Sequence, residues 1–332
     1  MEVSGLTFDQ VVAAIDPPTG EIRALRGQYR RLMCCQSELE PDLRLDLPTV
    51  AGQTEGEGVV KLVLRLRDQL EVESVVVPMQ HAQRHWKSLC VSSQVGCRYG
   101  CRFCQTATLG LVRDLSAAEI VGQLLRVTRQ LGKSVRTVVF MGMGEPLDNL
   151  SAVVQAIRVM TDQSGIGLSK SKITISTVGI VDGIRQVAAL GWRRLNLGIS
   201  LNAPNDSIRA QLMPIARQES MADLVRAMRA YPLRRNQHFM VEYVLVPGVN
   251  DEREHALELA ETLASVRCMV NVIAHNPRPR ARWRAPEEEQ VQRFLGWLKE
   301  AGQPCRRRVT RGREQCAACG QLGRRSTPAT DQ

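Results

Sequence analysis

Four of the ten cysteines in this 332-residue chain crowd into SLCVSSQVGCRYGCRFCQT, residues 88–106. Cys97, Cys101 and Cys104 have the spacing C-x3-C-x2-C, while Cys90 stands apart upstream. Three thiolates held this closely wrap one compact metal centre, and two such centres are open on spacing. A mononuclear zinc ion wants a fourth protein ligand, for which His85 and Cys90 are the nearby candidates. A [4Fe–4S] cluster held by three cysteines instead leaves one iron free for a small molecule. Phe103, the aromatic just before the last cysteine, favours the cluster.

Groups of this kind need strand ends and loops to aim them. From Ser88 onward, short apolar runs alternate with helical patterns. TVVFMGMG (137–144), KITISTVGI (172–180), LNLGISLN (195–202), FMVEYVLVPG (239–248) and MVNVIAHN (269–276) read as strands. SAAEIVGQLLRVTRQLG, SAVVQAIRVMTDQ, VDGIRQVAALG, SMADLVRAMRAY and EREHALELAETLASV read as the helices between them, with PEEEQVQRFLGWLKEAG (286–302) after the last strand. Ser116 and Glu119 form the S-x-x-E of a capping box. Repeated βα units predict an α/β fold with a parallel sheet, doubly wound or a barrel. Ligands gather at the carboxyl ends of such strands, where GMGEP, STVG, SLNAPN and HNP lie.

Upstream, VVKLVLRLR (59–67) and VESVVVP (72–78) predict a strand pair. Residues 1–58 predict a small, mainly helical accessory domain with an irregular Pro-, Gly- and acid-rich centre. Residues 59–325 form the catalytic core, and 326–332 a disordered tail. No apolar run reaches membrane-spanning length and the N-terminus lacks signal-peptide features, so a cytoplasmic location with reduced thiols is expected. Forty-four basic residues against 34 acidic give a net charge of +10, gathered in RALRGQYRR (23–31), RPRARWR (278–284) and RRRVTRGR (306–313). Such a surface attracts RNA, or is simply a solvated basic face. Aromatics are only 4% of the chain, which excludes a broad base-stacking platform, although Trp283 amid arginines can stack on one nucleotide.

The triplet with MGMGEP (141–146) downstream resembles the radical S-adenosylmethionine (SAM) enzymes. More narrowly, CVSSQVGC, LSAAEIVGQ, MGMGEPLDN, ITISTVG, SLNAPNDSIRAQLMPI, VEYVLVPGVND and AACGQL occur in that order and resemble the RlmN/Cfr family of RNA adenine methyltransferases. The likeness runs from about residue 59 to 323, and the N-terminal segment is shorter than that family's accessory domain.

This resemblance implies a partial (β/α)6 radical SAM barrel, one [4Fe–4S] cluster on Cys97, Cys101 and Cys104, and SAM bound by the open iron. It implies SAM contacts from Gly144, Glu145, Ser176, Ser200, Leu201, Asn202 and Asn276. It also implies methylation of an adenine ring carbon, C2 or C8, in ribosomal or transfer RNA, with two SAM per methyl. Such a ring carbon is a poor nucleophile, and the family first places the methyl on a cysteine. By residue-wise likeness Cys319 is that carrier. Cys90 is the resolving thiol, in transient disulfide with Cys319, and Glu73 is the acceptor of the ring proton. An electron donor such as a flavodoxin and action as a monomer complete the expectation.

Three features depart from the family pattern. SLN stands in place of SLH, IAHNP in place of IPWNP, and Cys316 creates an additional C-x2-C with Cys319. The Cys316 thiol is either inert or a redox guard of the carrier. Cys34, Cys35, Cys268 and Cys305 read as packing or surface residues. No histidine is assigned to catalysis. An iron–sulfur RNA-binding or redox-sensing protein is the competing function class, and the Cys90/Cys319 pair with Glu73 argues against it.

Overall fold

The computed structural model describes the chain except for residues 35–36, 82, 133–134, 278–280, 310 and 324–332. Cys35, part of the basic run at 278–284 and the tail at 326–332 therefore lie outside the described residues. Two helices open the chain, α1 (Phe8–Ile15) and α2 (Ile22–Met33). Strands β1 (Thr49–Gly56), β2 (Val59–Arg65), β3 (Glu71–His81) and β4 (Arg84–Cys90) follow as an antiparallel meander. A small hairpin of β5 (Gln94–Gly96) and β6 (Leu111–Asp114) flanks the cysteine loop.

The βα units come next. They run α3 (Ala117–Leu131), β7 (Thr137–Phe140), α4 (Leu150–Thr161), β8 (Ile173–Thr177), α5 (Val181–Ala189) and β9 (Asn196–Ser200). Then come α6 (Asp206–Leu212), α7 (Met221–Ala230), β10 (Phe239–Leu245), α8 (Arg253–Leu263), β11 (Cys268–Ala274), α9 (Glu288–Glu300) and β12 (Cys305–Arg307). The main sheet has the order β1-β2-β3-β4-β7-β8-β9-β10-β11-β12. Pairing is parallel from β4 onward. Six of these strands, β4 and β7–β11, form the expected partial (β/α)6 barrel, with the meander on one side and β12 on the other.

Local chemistry accounts for the elements. The Ser116 capping box is present, with Glu119 N–H donating to Ser116 Oγ at 3.2 Å and Ser116 N–H to Glu119 Oε2 at 2.8 Å. Such a cap is worth about 1 kcal/mol. Every residue of β8 is buried, with Ile173 and Ile175 on one face and Thr174 and Ser176 on the other, as in a strand covered on both sides. Strands β1, β4, β5, β6 and β12 were not expected from the sequence, the last three being only three or four residues long. β1 arises within the stretch expected to be irregular, because an exposed edge strand needs few apolar residues. β4 starts exposed and becomes buried only near Cys90, so its alternation is faint.

The division expected at residue 58 runs through the β1–β2 turn. Phe8, Val11, Leu25 and Tyr29 share one apolar cluster with the barrel. Tyr29 donates to the Leu6 carbonyl at 2.8 Å, and Arg129 on α3 donates to the Leu32 and Ser37 carbonyls at 2.8 Å. Among the described residues no helix is long and apolar enough to cross a membrane.

Candidate active site

The loop after β5 carries the three spaced cysteines to the carboxyl ends of the strands. Cys97 N–H donates to the Gly110 carbonyl at 2.8 Å and Cys104 N–H to the Cys101 carbonyl at 3.0 Å. All three line one cavity of about 950 Å³ of empty space, counting its open mouth. Burial pushes the Cys97 thiol up to about 12, and the neighbouring Cys104 pushes in the same direction. Cys101 is raised well above the ordinary thiol range by burial, then by Cys104 and Cys97.

Cys97 and Cys101, buried thiols whose ionisation their neighbours oppose, form with Cys104 a donor set completed by bound positive charge. Among the described residues no group of three or more His, Cys, Asp or Glu is gathered tightly enough for a single metal ion. His85, the zinc candidate, is exposed on β4. With His85 away from the cavity, three thiols alone suit a cluster with one open iron better than a zinc ion, which wants four ligands. A buried guanidinium backs the loop. Arg209 donates to the carbonyls of Val178 at 2.6 Å and Glu219 at 2.8 Å and acts electrostatically on Cys101.

Opposite the cysteines, β7 ends in the MGMGEP turn. Gly142 is required, since a Cβ there would sit 2.6 Å from the Val91 carbonyl carbon. Gly144 has φ +97°, and its missing Cβ would meet the Gln94 Cβ at 2.5 Å. The turn delivers Glu145 into the cavity wall. Its carboxylate accepts N–H bonds from Leu147 at 3.0 Å and Val178 at 2.8 Å. Burial outweighs those bonds and raises its carboxyl to about 7. Ser176, Ser200, Asn202 and Asn276, from the ends of β8, β9 and β11, line the same cavity, whereas Leu201 is buried behind it. Asn202 is positioned by the scaffold. Its Oδ1 accepts from Val244 N–H at 2.9 Å and its Nδ2 contacts the Met213 sulfur at 3.1 Å.

The C-terminal segment lies across this cavity. The Gly320 carbonyl accepts from Gln105 N–H at 2.7 Å, and the Leu322 carbonyl from Thr106 Oγ1 at 2.8 Å. Asn276 Nδ2 donates to the Cys319 carbonyl at 3.3 Å, and Asn276 Oδ1 accepts from Arg313 Nε at 3.2 Å. Cys319 is exposed and lines the cavity with the three loop cysteines.

Cys90 ends β4 and pairs in register with Val75. Glu73, two residues before Val75, therefore projects to the same face of the sheet. Glu73 is buried, as a surface glutamate would not be. Its Oε1 is 3.1 Å from Lys61 Nζ and its Oε2 accepts from Gly323 N–H at 2.9 Å. Neither Glu73 nor Cys90 lines the main cavity, but Cys90 is close enough to Cys319 for their charges to repel. No described cysteine is in a disulfide, so the Cys90–Cys319 bond implied by resemblance is not formed here. Cys316 has φ +50°, and its carbonyl accepts from Lys61 at 3.3 Å. Cys34 contacts the Gly165 carbonyl, Cys268 is buried, and Cys305 contacts the Leu295 carbonyl.

Four residues of the site were not singled out in the sequence. Lys61 neutralises Glu73, and its signal was a lysine inside the apolar run VVKLVLR. Glu242 and Arg308 form an ion pair at 3.1 Å in the cavity wall. Glu242 sits in VEYVLVPGVND as a lone carboxylate in a buried strand. His275, in the IAHNP departure, lines the cavity and packs edge-on against Trp283 with ring centres 6.4 Å apart.

Comparison with known proteins agrees with this geometry. The radical SAM superfamily profile matches residues 91–260. A probable dual-specificity RNA methyltransferase RlmN of Protochlamydia amoebophila is 40% identical over 83% of this chain and 76% of its own length. The dual-specificity RNA methyltransferase RlmN of Syntrophus aciditrophicus is 39% identical over 95% of this chain and 87% of its own. The crystal structure of a radical SAM methyltransferase from Sphaerobacter thermophilus superposes with a TM-score of 0.88 at 33% identity, covering 97% of this chain and 99% of that one. The chain belongs to the radical SAM superfamily and, within it, to the RlmN family.

Proposed function

We propose that this protein is an RNA methyltransferase that places a methyl group on an adenine ring carbon, C2 in preference to C8, in ribosomal and/or transfer RNA. The observation that carries this reading is the placement of Cys319. It shares one cavity with the three cluster cysteines and Glu145, and it has a second thiol, Cys90, within electrostatic reach. The relatives' names, dual-specificity RNA methyltransferase, support RNA as the substrate.

In this reading Cys97, Cys101 and Cys104 hold a [4Fe–4S] cluster and Glu145 takes the amino group of SAM. Ser176, Ser200 and Asn202 supply polar contacts around the rest of the cofactor. When bound, the cluster and SAM supply the methyl group and the radical that activates it. The chain's own residues do the remainder. Cys319 carries the methyl as a thioether, and Asn276 holds its carbonyl. Glu73, paired with Lys61, accepts the proton of the ring carbon once that carbon is bonded to the carbon carried by Cys319.

Cys90 then attacks the Cys319 sulfur. A sulfur–sulfur bond forms as the bond from Cys319 to the former methyl carbon breaks. The released electron pair passes to the base, whose new carbon takes up a proton. A flavodoxin-like electron donor, a monomeric state, a cytoplasmic location and an RNA-gripping role for residues 1–58 belong to the same proposal.

The test is anaerobic incubation of cluster-loaded enzyme with methyl-deuterated SAM and RNA from a strain lacking the gene. Nucleoside mass spectrometry then reads the product beside a Cys319→Ala control. Labelled 2-methyladenosine that vanishes in the control supports the reading. Labelled 8-methyladenosine moves the target carbon. SAM cleavage with no labelled adenine overturns the reading.

A further inference from the structure

Arg308 follows the edge strand β12 and enters the wall of the active-site cavity. Its backbone N–H donates to the Val272 carbonyl at 2.9 Å, which fixes where the side chain starts. Glu242, buried in the middle of β10, fixes where it ends, with Oε2 accepting from Arg308 Nη1 at 3.1 Å. The other Glu242 oxygen accepts from Asn271 Nδ2 at 2.9 Å, and Asn271 Oδ1 accepts from Arg306 Nε at 2.6 Å. Both terminal nitrogens of Arg308 lie 3.5 Å from the Met141 sulfur. Gly142, the neighbour of that Met141, donates its N–H to the carbonyl of Val91, the neighbour of Cys90, at 3.0 Å. The guanidinium is thus one residue removed from Cys90, and it lines the same cavity as Cys319.

A purely structural cation would need only Glu242. This one also lies beside the sulfurs of Cys90 and Cys319. Burial, then Cys319, push the Cys90 thiol up to about 12, and Arg308 is the cation that opposes them. An unassisted thiolate in such a place is disfavoured, and an adjacent fixed cation is the ordinary remedy.

We propose that Arg308 is the positioning residue of the two working thiols: held by Glu242, it faces both Cys90 and Cys319 and offsets the negative charge of whichever sulfur is ionised. The inference rests on the reading of these cysteines as carrier and resolving thiol. It also accounts for an arginine at this place. A planar guanidinium engages Glu242 and Met141 at once, whereas an ammonium is a single point charge.

The experiment measures iodoacetamide modification of Cys90 and Cys319, by peptide mass spectrometry at neutral pH, in cluster-loaded full-length enzyme. Wild type is compared with Arg308→Lys, Arg308→Gln and the double variant Arg308→Gln/Glu242→Gln, all checked for cluster content and helicity. Loss of the charge slows modification of both thiols about 10-fold or more. Lysine restores part of the rate. The double variant stays slow although it leaves no buried carboxylate alone. Wild-type rates in the double variant would mean that Arg308 only neutralises Glu242, and the proposal fails. Unchanged rates in Arg308→Gln together with weaker RNA binding would make Arg308 a phosphate contact, which also overturns it. Labelled methyl on wild-type Cys319 is read in the same samples. Its absence defeats the carrier reading itself, whereas its presence with unmoved thiol rates defeats only the role of Arg308.

Discussion

Asn276 Nδ2 donates to the Cys319 carbonyl at 3.3 Å, tying the C-terminal cysteine to the loop at the end of β11. The tether decides where the thiol can sit, because Cys319 itself is exposed and the segment around it has little secondary structure. A misplacement of about 1 Å costs on the order of 100-fold in a well-aligned reaction, whereas one lost hydrogen bond costs only about 1 kcal/mol of stability. Asn276→Ala is therefore expected to lower labelled-methyl loading of Cys319 about 10- to 100-fold. Its urea midpoint should stay close to that of the wild type. Mass spectrometry of the Cys319 peptide checks the first statement and an unfolding titration the second.

Lys61 and Glu73 pair at 3.1 Å with side chains only 8% and 5% exposed. Removing one partner leaves a buried charge without compensation, a loss of about 3–5 kcal/mol. Lys61→Met should destabilise by that order, and so should Glu73→Leu. The double variant should recover most of the stability, because neither charge is then stranded. Activity should not return, since in the proposed reading Glu73 is the proton acceptor. Urea titrations of the four proteins give the coupling directly, and RNA methylation assays separate fold from function.

What was legible in the sequence follows burial. β8 was read from ITIST because its residues are buried on both faces, and α3 from its capping box. β1 was not, because an edge strand with exposed alternate residues carries too little apolar signal. That Cys97, Cys101, Cys104, Glu145 and Cys319 share one cavity could be anticipated because short spacing or a named motif marks them. Arg308 was hidden for the opposite reason. It sits in a run of arginines that reads as a solvated face, and its partner Glu242 lies 66 residues away. Only folding brings that pair together.

The cluster assignment makes a sharp division among the cysteines. Cys97→Ala, Cys101→Ala and Cys104→Ala should each abolish the visible absorbance and the bound iron of reconstituted protein, about four iron per chain in the wild type. Cys90→Ala, Cys316→Ala and Cys319→Ala should keep both. His85→Ala should keep them too, since His85 is exposed and away from the cavity. Iron analysis beside absorbance settles the set, and zinc content rising as iron fails to load would revive a mononuclear centre.

Glu145 predicts how SAM binding depends on pH. Its carboxyl is raised from 4.5 to about 7, chiefly by burial. A carboxylate that receives the cofactor's cationic amino group must be ionised to do so. SAM affinity of cluster-loaded enzyme should therefore fall as pH drops through about 7. Stability without SAM has the opposite sign. Between 4.5 and about 7 the folded state holds a proton that the unfolded state has released. This group's contribution is thus most favourable below 4.5, declines as pH rises through that window, and is level above about 7. The decline is roughly 3 kcal/mol, since each tenfold change in a proton-binding equilibrium corresponds to about 1.4 kcal/mol. A cationic ligand repays that cost by pairing with the ionised form, so SAM should stabilise the protein more at pH 8 than at pH 6. Thermal melts with and without SAM across that range test the sign. Glu145→Gln, which cannot ionise, should flatten the difference.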